Sequence, residues 1–368
     1  MSIPLLDLRR EYAAIETEVR EAWAATLASM HLLKGENGAA FEREIAAYIG
    51  TPYARGVASG TDALLLSVVG LGIGTGDEVI IHANAFAAAV EAVHHAGARP
   101  VLVDVEADGL GPDLDGVEQA ISPRTRALLI VHLYGSPLPM ASILETVARH
   151  NLFLIEDCSH AHGAGRDGRK VGTFGRVGCF SSGVVKNLGA YGDAGFITTA
   201  DAELHTRVCL LGTHGQEHKN RHVLYGFNSR LDELQAALLR VKLRHLDARN
   251  RRRAAIAAYY NVRFASLDLR VRREQPGEVH VYHQYVVRSA QRDRLQAYLK
   301  AAGIETGIHY PVPLHRHPAW LRNYGESAPL PRAERLAREI LSLPVFPDLT
   351  DAEVEQVADA VAGFFRSR

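Results

Sequence analysis

Short apolar runs alternate with helix-like stretches between Arg55 and Ala200. Uninterrupted apolar runs are typical of strands in a parallel sheet that helices cover on both faces. We therefore predict one large α/β domain with a largely parallel sheet. The runs predicted as strands are residues 78–82, 100–104, 127–132, 152–155, 178–181 and 195–199.

The pattern changes after Ser229 to a helical period of apolar residues, namely Leu231, Leu234, Leu238 and Val241. Ser229 followed by Asp232 resembles a capping box and predicts where this long helix begins. Beyond residue 258, a strand-like run at 281–287, a helical stretch at 293–302 and a final helix from Asp351 predict a smaller α+β domain. We accordingly divide the chain into a large domain, 1–258, and a small C-terminal domain, 259–368.

The composition favours a soluble enzyme. A length of 368 residues is typical of about two domains, and a net charge of -1 gives no electrostatic basis for binding nucleic acid or a membrane surface. No apolar run reaches the roughly 20 residues of a membrane span, and charge follows the N-terminus too early for a signal peptide. The cysteines, Cys158, Cys179 and Cys209, are too few for a disulfide framework. We expect a cytoplasmic protein.

Lys186 has the most specific candidate chemistry. Arginine greatly outnumbers lysine in this chain, yet Lys186 lies in a stretch of small and apolar residues between Gly178 and Gly189. Burial there would lower the pKa of the amine and favour its attack on a carbonyl carbon. Upstream, Asp157 follows a predicted buried strand, where open α/β sheets place ligand contacts. A lysine for an aldehyde and an aspartate for a pyridine nitrogen are the pair that pyridoxal phosphate requires.

Ser59, Gly60 and Thr61 open a predicted helix directly after a run of small residues. Free N–H groups and the positive end of the helix dipole make a helix N-terminus suitable for binding phosphate. The same residues also form an ordinary N-cap, so this stretch alone leaves both interpretations open. The glycine-rich stretch 70–76 precedes a strand rather than a helix, and it therefore does not form a dinucleotide-binding fingerprint.

Several aromatic and histidine side chains are further candidates. Phe86 follows a predicted strand and either presents its ring to a planar cofactor or packs as an ordinary core aromatic. His160 and His162 lie beside Asp157 as a metal site would require, but the other spaced ligands of zinc sites are missing, and we expect no metal.

The proline-constrained loop 308–315 carries His309, Tyr310 and His315. Functional residues often lie on such loops, so these side chains are candidate substrate contacts. An ordinary surface turn is the alternative.

In this order along the chain, the motifs resemble the DegT/DnrJ/EryC1/StrS aminotransferases, pyridoxal-phosphate enzymes that aminate keto sugars and keto cyclitols. The resemblance covers nearly the whole chain and implies a fold type I architecture, with a mixed, mostly parallel sheet and a smaller C-terminal α+β domain. It also implies a homodimer with active sites at the subunit interface. The motifs are Pro4-Leu-Leu-Asp-Leu8, Phe41-Glu42, Ser59-Gly-Thr-Asp-Ala-Leu64, Glu156-Asp157, Ala161-His-Gly-Ala164, Lys186-Asn-Leu-Gly189, Gly192-Asp193, residues 228–237 and His309-Tyr-Pro-Val-Pro313.

The resemblance implies roles for individual residues. Lys186 would hold pyridoxal 5'-phosphate covalently, and Asp157 would pair with its pyridine nitrogen. Phe86 would stack on the ring, with His160 beside it. The phosphate would be held by the turn Ser59-Gly60-Thr61, by Ser181 and by the partner subunit's Asn228.

Three stretches depart from the usual family pattern. His160 stands where the family usually has glutamine. Residues 181–186 read Ser-Ser-Gly-Val-Val-Lys in place of Ser-Phe-aromatic-Pro-x-Lys, which removes bulk beside the lysine, and the family's Gly-Asp-Gly-Gly is Gly-Asp-Ala-Gly at 192–195. We expect a widened or reshaped substrate pocket. A cofactor-binding regulatory protein without catalysis is the alternative.

The resemblance implies ping-pong transamination through the pyridoxamine form, with an amino-acid donor that we expect to be L-glutamate. Lys186 would move the proton. The expected acceptor is a nucleotide-linked 3-keto-6-deoxyhexose aminated at C3, because loop 309–315, together with residues 186–189 and 228–230, resembles the sugar 3-aminotransferases. Arg230 and His315 are expected to bind its diphosphate. A keto cyclitol such as scyllo-inosose is the alternative acceptor. Sugar dehydratases of this fold normally have histidine in place of Lys186.

Overall fold

The computed structural model describes residues 2–107 and 109–366. The helices are α1 Leu8–Ser29, α2 Glu36–Ile49, α3 Gly60–Gly70, α4 Ala88–His95, α5 Leu114–Ala120, α6 Met140–Arg149, α7 Ala202–Leu211, α8 Glu233–Phe264, α9 Arg292–Ala301, α10 Pro318–Tyr324, α11 Pro331–Glu339 and α12 Asp351–Arg366. The strands are β1 Tyr53–Val57, β2 Glu78–His82, β3 Arg99–Val103, β4 Thr125–Val131, β5 Phe153–Asp157, β6 Gly165–Arg166, β7 Arg169–Lys170, β8 Val177–Ser181, β9 Gly195–Thr199, β10 Gln216–His218, β11 Arg221–His222, β12 Arg270–Val271, β13 Glu278–Val279, β14 Tyr285–Arg288 and β15 Ile340–Leu343.

The main sheet has seven strands in the order β1-β9-β8-β5-β4-β2-β3. Strands β8, β5, β4, β2 and β3 are parallel, and β9 runs antiparallel to both of its neighbours. The sheet is therefore mixed and mostly parallel, and each predicted strand run corresponds to a strand within one or two residues at either end. Strand β1 was not predicted, because Arg55 and Gly56 interrupt its apolar pattern.

The core of the large sheet explains why its strands are continuously apolar. Ile80 and Ile81 of β2 and Leu128 and Leu129 of β4 are all fully buried. Side chains of α3, α4 and α6 belong to the same hydrophobic cluster. Alternate side chains of a strand point to opposite faces, so burial at consecutive positions requires cover on both faces of the sheet.

Strand pairing brings the candidate residues to one edge of this sheet. The carboxyl ends of the parallel strands share an edge, which is where ligands bind in open α/β sheets. In the register of β5 with β8, Asp157 lies opposite Cys179, two residues before Ser181. Gly195 at the start of β9 then pairs with both Ser181 and Val57. The loop that follows β1 therefore meets the end of β8.

Helix α8 begins at Glu233, four residues after Ser229, so the prediction that Ser229 caps its N-terminus is wrong. The Ser229 hydroxyl instead accepts the Ala58 N–H at 3.1 Å and donates to Asp62 at 2.6 Å. Asp232 occupies the N-cap position of α8, but its side chain makes no capping hydrogen bond. Although α8 has 32 residues, no helix in the described part of the chain combines the length and apolar character needed to cross a membrane.

The C-terminal region has its own core, formed by a three-stranded sheet, β12-β14-β15, and by α9 and α12. Helix α8 contributes to this core through Tyr260 and Phe264, and it contacts the large-domain core through Leu239. It thus joins the two regions, and the division at residue 258 stays a prediction. The strand predicted at 281–287 is correct only from Tyr285, because Tyr282 has a positive φ of 42° that ends any extended conformation before it.

Candidate active site

Lys186 lies in a tight turn that follows β8. Its backbone N–H donates to the Gly183 carbonyl at 2.9 Å, and the Ala190 N–H donates to the Ser182 carbonyl at 2.8 Å. The turn is closed so tightly that a Cβ at Gly189 would lie 2.7 Å from the Val184 carbonyl oxygen. The backbone hydrogen bonds and close packing of this turn therefore fix the position of the Lys186 Cα.

Lys186 and Asp157 lie close enough for each to shift the other's pKa. Burial lowers the pKa of the Lys186 amine to about 8, and the Asp157 carboxylate opposes this shift. Burial raises the pKa of Asp157, while hydrogen bonds from Ser159 and the charge of Lys186 lower it. One carboxylate oxygen accepts the Ser159 N–H at 2.9 Å. The structure thus brings together the two residues that the sequence paired.

Ser59, Gly60 and Ser181 form a small cup at the N-terminus of α3. The Ser59 hydroxyl accepts the Asp62 N–H at 3.1 Å, so Ser59 is indeed the N-cap. Gly60 packs so closely that a Cβ would lie 2.8 Å from the Ser181 Cα and 3.0 Å from its Oγ. Because the first N–H groups of a helix have no partner within it, those of Gly60 and Thr61 remain available to an anion.

Phe86 follows β2 and is 55% exposed, which is unusual for a phenylalanine so close to a buried strand. Its ring centroid lies 5.7 Å from that of Tyr310. The Phe86 ring is therefore available for stacking against a planar group.

His160 links the sheet edge to the loop that carries Tyr310. Its Nδ1 accepts the Tyr134 N–H at 3.3 Å, and its Nε2 lies 3.4 Å from the Tyr310 hydroxyl. Burial is the main reason why the pKa of this imidazole lies well below its usual value, and the charge of Lys186 lowers the pKa further. A neutral ring that accepts at Nδ1 carries its proton on Nε2, so His160 donates to Tyr310.

Sequence reasoning missed His283 and Asn187, which join this group. The His283 ring centroid lies 4.5 Å from that of His160, and its Nδ1 lies 3.1 Å from the Asn187 Oδ1. Asn187 in turn donates to Asn250 of α8 at 3.0 Å and to the Val281 carbonyl at 3.1 Å. His283 was overlooked because its segment was predicted as a plain strand. The position of Asn187 next to Lys186 was the available signal.

His132, Glu156 and Cys158 form a buried cluster of possible metal ligands. The Glu156 carboxylate, however, already has hydrogen-bond partners within the protein. His132 contacts Glu156 at 3.0 Å. The same carboxylate accepts three backbone N–H groups at 2.6 to 2.9 Å, from Gly172, Phe174 and Gly175. His160 and His162, the pair considered in the sequence and expected to bind no metal, do not belong to this cluster.

Three predicted residues make other contacts, and none of them contacts Lys186 within the described part of the subunit. Asn228 is exposed and pairs with Thr213 in a short bridge. Arg230 lines a separate cavity of about 530 Å³. His315 is buried, with its Nε2 3.0 Å from the Glu334 carboxylate. The assignment of His315 to a substrate diphosphate is therefore revised, because its ring already serves a structural contact with Glu334.

The sequence profile of the DegT/DnrJ/EryC1/StrS aminotransferase family matches residues 13–362. The chain belongs to this family. It is therefore an aminotransferase that depends on pyridoxal phosphate, as the family does, and relatives have been solved with the pyridoxamine form bound.

Individual relatives are similar to this aminotransferase over their whole length. The dTDP-3-amino-3,4,6-trideoxy-alpha-D-glucose transaminase of Streptomyces venezuelae is 45% identical, with 98% of this chain and 95% of the relative covered. The UDP-N-acetyl-3-dehydro-alpha-D-glucosamine 3-aminotransferase of Acidithiobacillus ferrooxidans is 41% identical, with 98% and 97% covered. The crystal structure of S. venezuelae DesV in complex with a ketimine intermediate has a TM-score of 0.96, 44% identity and coverage of 99% and 98%. This likeness confirms the predicted fold type I architecture.

The side chains of this aminotransferase fit its cofactor. Gly60 packs so closely against Ser181 that a Cβ at residue 60 would not fit, and the backbone N–H groups of Gly60 and Thr61 are available to a phosphate. Phe86 presents an open ring face, and Asp157 supplies a buried carboxylate beside Lys186. An anion cup, an aromatic face, an acid and an amine of lowered pKa are together what pyridoxal phosphate needs.

Proposed function

We propose that this enzyme moves an amino group from L-glutamate to C3 of a nucleotide-linked 3-keto-6-deoxyhexose. One observation carries the proposal: two relatives, 45% and 41% identical over 98% of the chain, have names that place the transferred amino group on C3 of a nucleotide-linked sugar. Their names differ in the nucleotide and in the other ring substituents. Amination at C3 and a nucleotide diphosphate are therefore the shared features that support this choice.

Lys186 holds the cofactor covalently in this proposal and later carries a proton. With a pKa of about 8, a useful fraction of its amine is uncharged near neutral pH and able to attack a carbonyl carbon. With the donor bound, the lysine Nζ would take the proton from the donor's α-carbon. The bound cofactor supplies the electron sink that makes this carbon acidic. Asp157 keeps the pyridine nitrogen protonated.

The remaining cofactor contacts are proposed on the same geometry. Ser59, Gly60, Thr61 and Ser181 surround the phosphate position at the N-terminus of α3, and Phe86 covers one face of the ring. The cup is preformed by backbone packing, because Gly60 lies directly against Ser181. Preformed donors bind an anion without the cost of ordering a loop.

Tyr310 and His309 are proposed to contact the sugar. The Tyr310 hydroxyl accepts from His160, which leaves its own O–H free to donate to a sugar oxygen. Burial lowers the pKa of His309 to about 4, so its ring is neutral, and its Nδ1 lies 2.9 Å from the Ser342 hydroxyl. Two neutral hydrogen-bonding rings suit an uncharged sugar, while Arg230 is the proposed partner of its diphosphate.

We also propose a homodimer in which the partner subunit's Asn228 completes the phosphate site. Within one subunit Asn228 is exposed, and the segment before it exposes the large apolar side chains of Val223, Tyr225 and Phe227. An exposed apolar surface of this kind is typical of a contact with another protein surface. The free cysteines are consistent with a reducing, cytoplasmic location.

A single-turnover experiment tests the acceptor. The pyridoxamine form of the enzyme is mixed with 3-keto and 4-keto nucleotide sugars and with scyllo-inosose, and the return of the pyridoxal absorbance is followed. We expect the 3-keto nucleotide sugar to react fastest. A faster reaction of the 4-keto sugar would move the amination carbon, and a reaction of scyllo-inosose alone would assign the enzyme to cyclitols.

A further inference from the structure

Arg253 is a buried arginine that forms no ion pair with an acid in the described part of the chain. It lies on α8 with only 6% of its surface exposed. Its Nη1 donates to the Val345 carbonyl at 3.3 Å, and its buried Nε has no hydrogen-bond partner among residues 2–107 and 109–366. Burial lowers its pKa to about 10. Buried charges are costly unless they are paired, so an unpaired guanidinium requires an explanation.

Two neighbouring acids, Glu11 and Asp348, raise the pKa of Arg253 through their charge, but neither forms an ion pair with it among the described residues. Arg249, one helical turn earlier, holds Asp348 at 2.6 Å. Lys242 holds Glu11 at 3.1 Å. Each of these acids therefore already has a cationic partner at contact distance, and Arg253 is left with a carbonyl oxygen alone.

The guanidinium lines a cavity of about 150 Å³ beside the Lys186 turn. Val185, which precedes Lys186, forms part of its wall, together with His283 and His309. Besides burial, the charges of Lys186 and Arg253 both lower the pKa of His283, which places both groups close to that ring. The cavity thus has Arg253 in its wall, and it adjoins His283, on which the charge of Lys186 also acts. Its apolar walls include Leu5, Leu6, Leu343 and Phe346.

We propose that Arg253 binds a carboxylate of the amino-acid donor in this cavity, an inference that rests on the proposed function. A carboxylate is the anion whose two oxygens match a guanidinium in both charge and geometry. Bound there, it leaves the rest of a small amino acid within reach of Lys186. His283 and His309 flank the carboxylate position as neutral rings, because burial lowers the pKa of both. The proposed nucleotide sugar does not need Arg253, because its negative charge lies on the diphosphate and it has no carboxylate.

The test compares Arg253→Met with Arg252→Met. Arg252 is the neighbouring arginine on α8, but it binds the exposed Asp351 at 2.7 Å and serves as the control. Donor and acceptor half-reactions are measured separately, and glutarate binding to the holoenzyme is measured by calorimetry. Glutarate is a dicarboxylate that has neither an amino nor a keto group to react.

We expect Arg253→Met to raise the KM for glutamate and the Kd for glutarate by roughly tenfold or more, since a charge-assisted hydrogen bond is lost. The acceptor half-reaction should stay the same, and Arg252→Met should change none of these values. The melting temperature of Arg253→Met should not fall, because methionine replaces an unpaired buried charge with an apolar side chain.

Unchanged glutarate binding in Arg253→Met, or no glutarate binding by the wild-type enzyme, would overturn the proposal. If Arg253→Met does not fold, Arg253→Lys keeps the charge but loses the paired donors, and unchanged glutarate binding in that variant has the same meaning. Failure of the proposed function gives a different result: the wild-type enzyme would react with glutamate and bind glutarate but would not aminate the nucleotide sugar.

Discussion

At the scale of single residues, the proposed reaction depends on the Lys186 amine, which lies in the turn after β8. If Lys186 carries the cofactor, borohydride reduction of the holoenzyme followed by peptide mapping will place the pyridoxyl group on Lys186. Lys186→Ala should still bind the cofactor through its phosphate and ring contacts, but lose at least about 100-fold in turnover because the proton carrier is gone. Labelling at Lys170 or Lys219 would contradict the assignment.

The lowered pKa of Lys186 predicts how its reactivity depends on pH. With a pKa of about 8, half of the amine is uncharged at pH 8, whereas a lysine with the ordinary pKa of 10.5 would be uncharged in only about one molecule in 300. In the cofactor-free protein, reductive methylation at Lys186 should therefore rise with pH and level off above about 8. The exposed Lys219 supplies the reference rate.

The Asp157→Asn variant tests what determines the pKa of Lys186. The Asp157 carboxylate raises the pKa of Lys186 against the larger effect of burial. Removing the negative charge should therefore move the midpoint of Lys186 methylation to lower pH. A midpoint near that of an ordinary lysine in the wild-type protein would show that the amine is not buried as described.

At the scale of helices and strands, the start of α2 depends on a side chain from α8. The Glu233 carboxylate is 1% exposed and accepts the N–H groups of Gly35, Asn37 and Gly38 at 2.8 to 3.0 Å. Gly35, at the N-cap of α2, has no side chain to satisfy them. Glu233 is therefore the cap of a helix that is far away in sequence.

Glu233→Ala should lower the protection of these three amides against hydrogen exchange by about 1–3 kcal/mol, since buried donors lose their acceptor. Hydrogen exchange read by mass spectrometry measures this loss locally, without assuming two-state unfolding. The control is Glu36→Ala, which removes an exposed ion pair with Arg43. Equal loss of protection in both variants would contradict the capping role.

Elements were predictable from sequence where a local pattern determines them. The six apolar runs correspond to strands because burial on both faces leaves a continuous apolar signature. The cap of α2 was not predictable, because Glu233 reaches it across nearly 200 residues of chain. Ser229 misled for the same reason: its hydroxyl, which would have capped α8, instead joins Ala58 to Asp62.

The candidate site shows the same division. Lys186, Asp157 and the Gly60 turn could be proposed as site residues from motif and spacing. Arg253 and His283 could not, since nothing nearby in sequence distinguishes an arginine on α8 from its paired neighbours. Only the fold shows that Arg253 forms no ion pair with an acid among the described residues and that it lines a cavity together with Val185.

At the scale of the whole molecule, we predict active sites that are shared between subunits. Lys186→Ala and Asn228→Ala subunits, each poorly active alone, should regain activity when mixed, because a heterodimer contains one site with both native residues. Native mass spectrometry establishes that the subunits exchange. Exchange without recovered activity would show that Asn228 does not serve the partner's site.

The central claim, transfer of nitrogen to C3 of a nucleotide-linked sugar, is tested most directly by the position of the nitrogen in the product. The enzyme is supplied with ¹⁵N-labelled glutamate and a 3-keto-6-deoxyhexose carried on a nucleotide diphosphate, and the product is examined by ¹⁵N-¹³C NMR. We predict ¹⁵N bonded to C3, with the nucleotide retained. An unlabelled sugar, or ¹⁵N on any other carbon, would contradict the account.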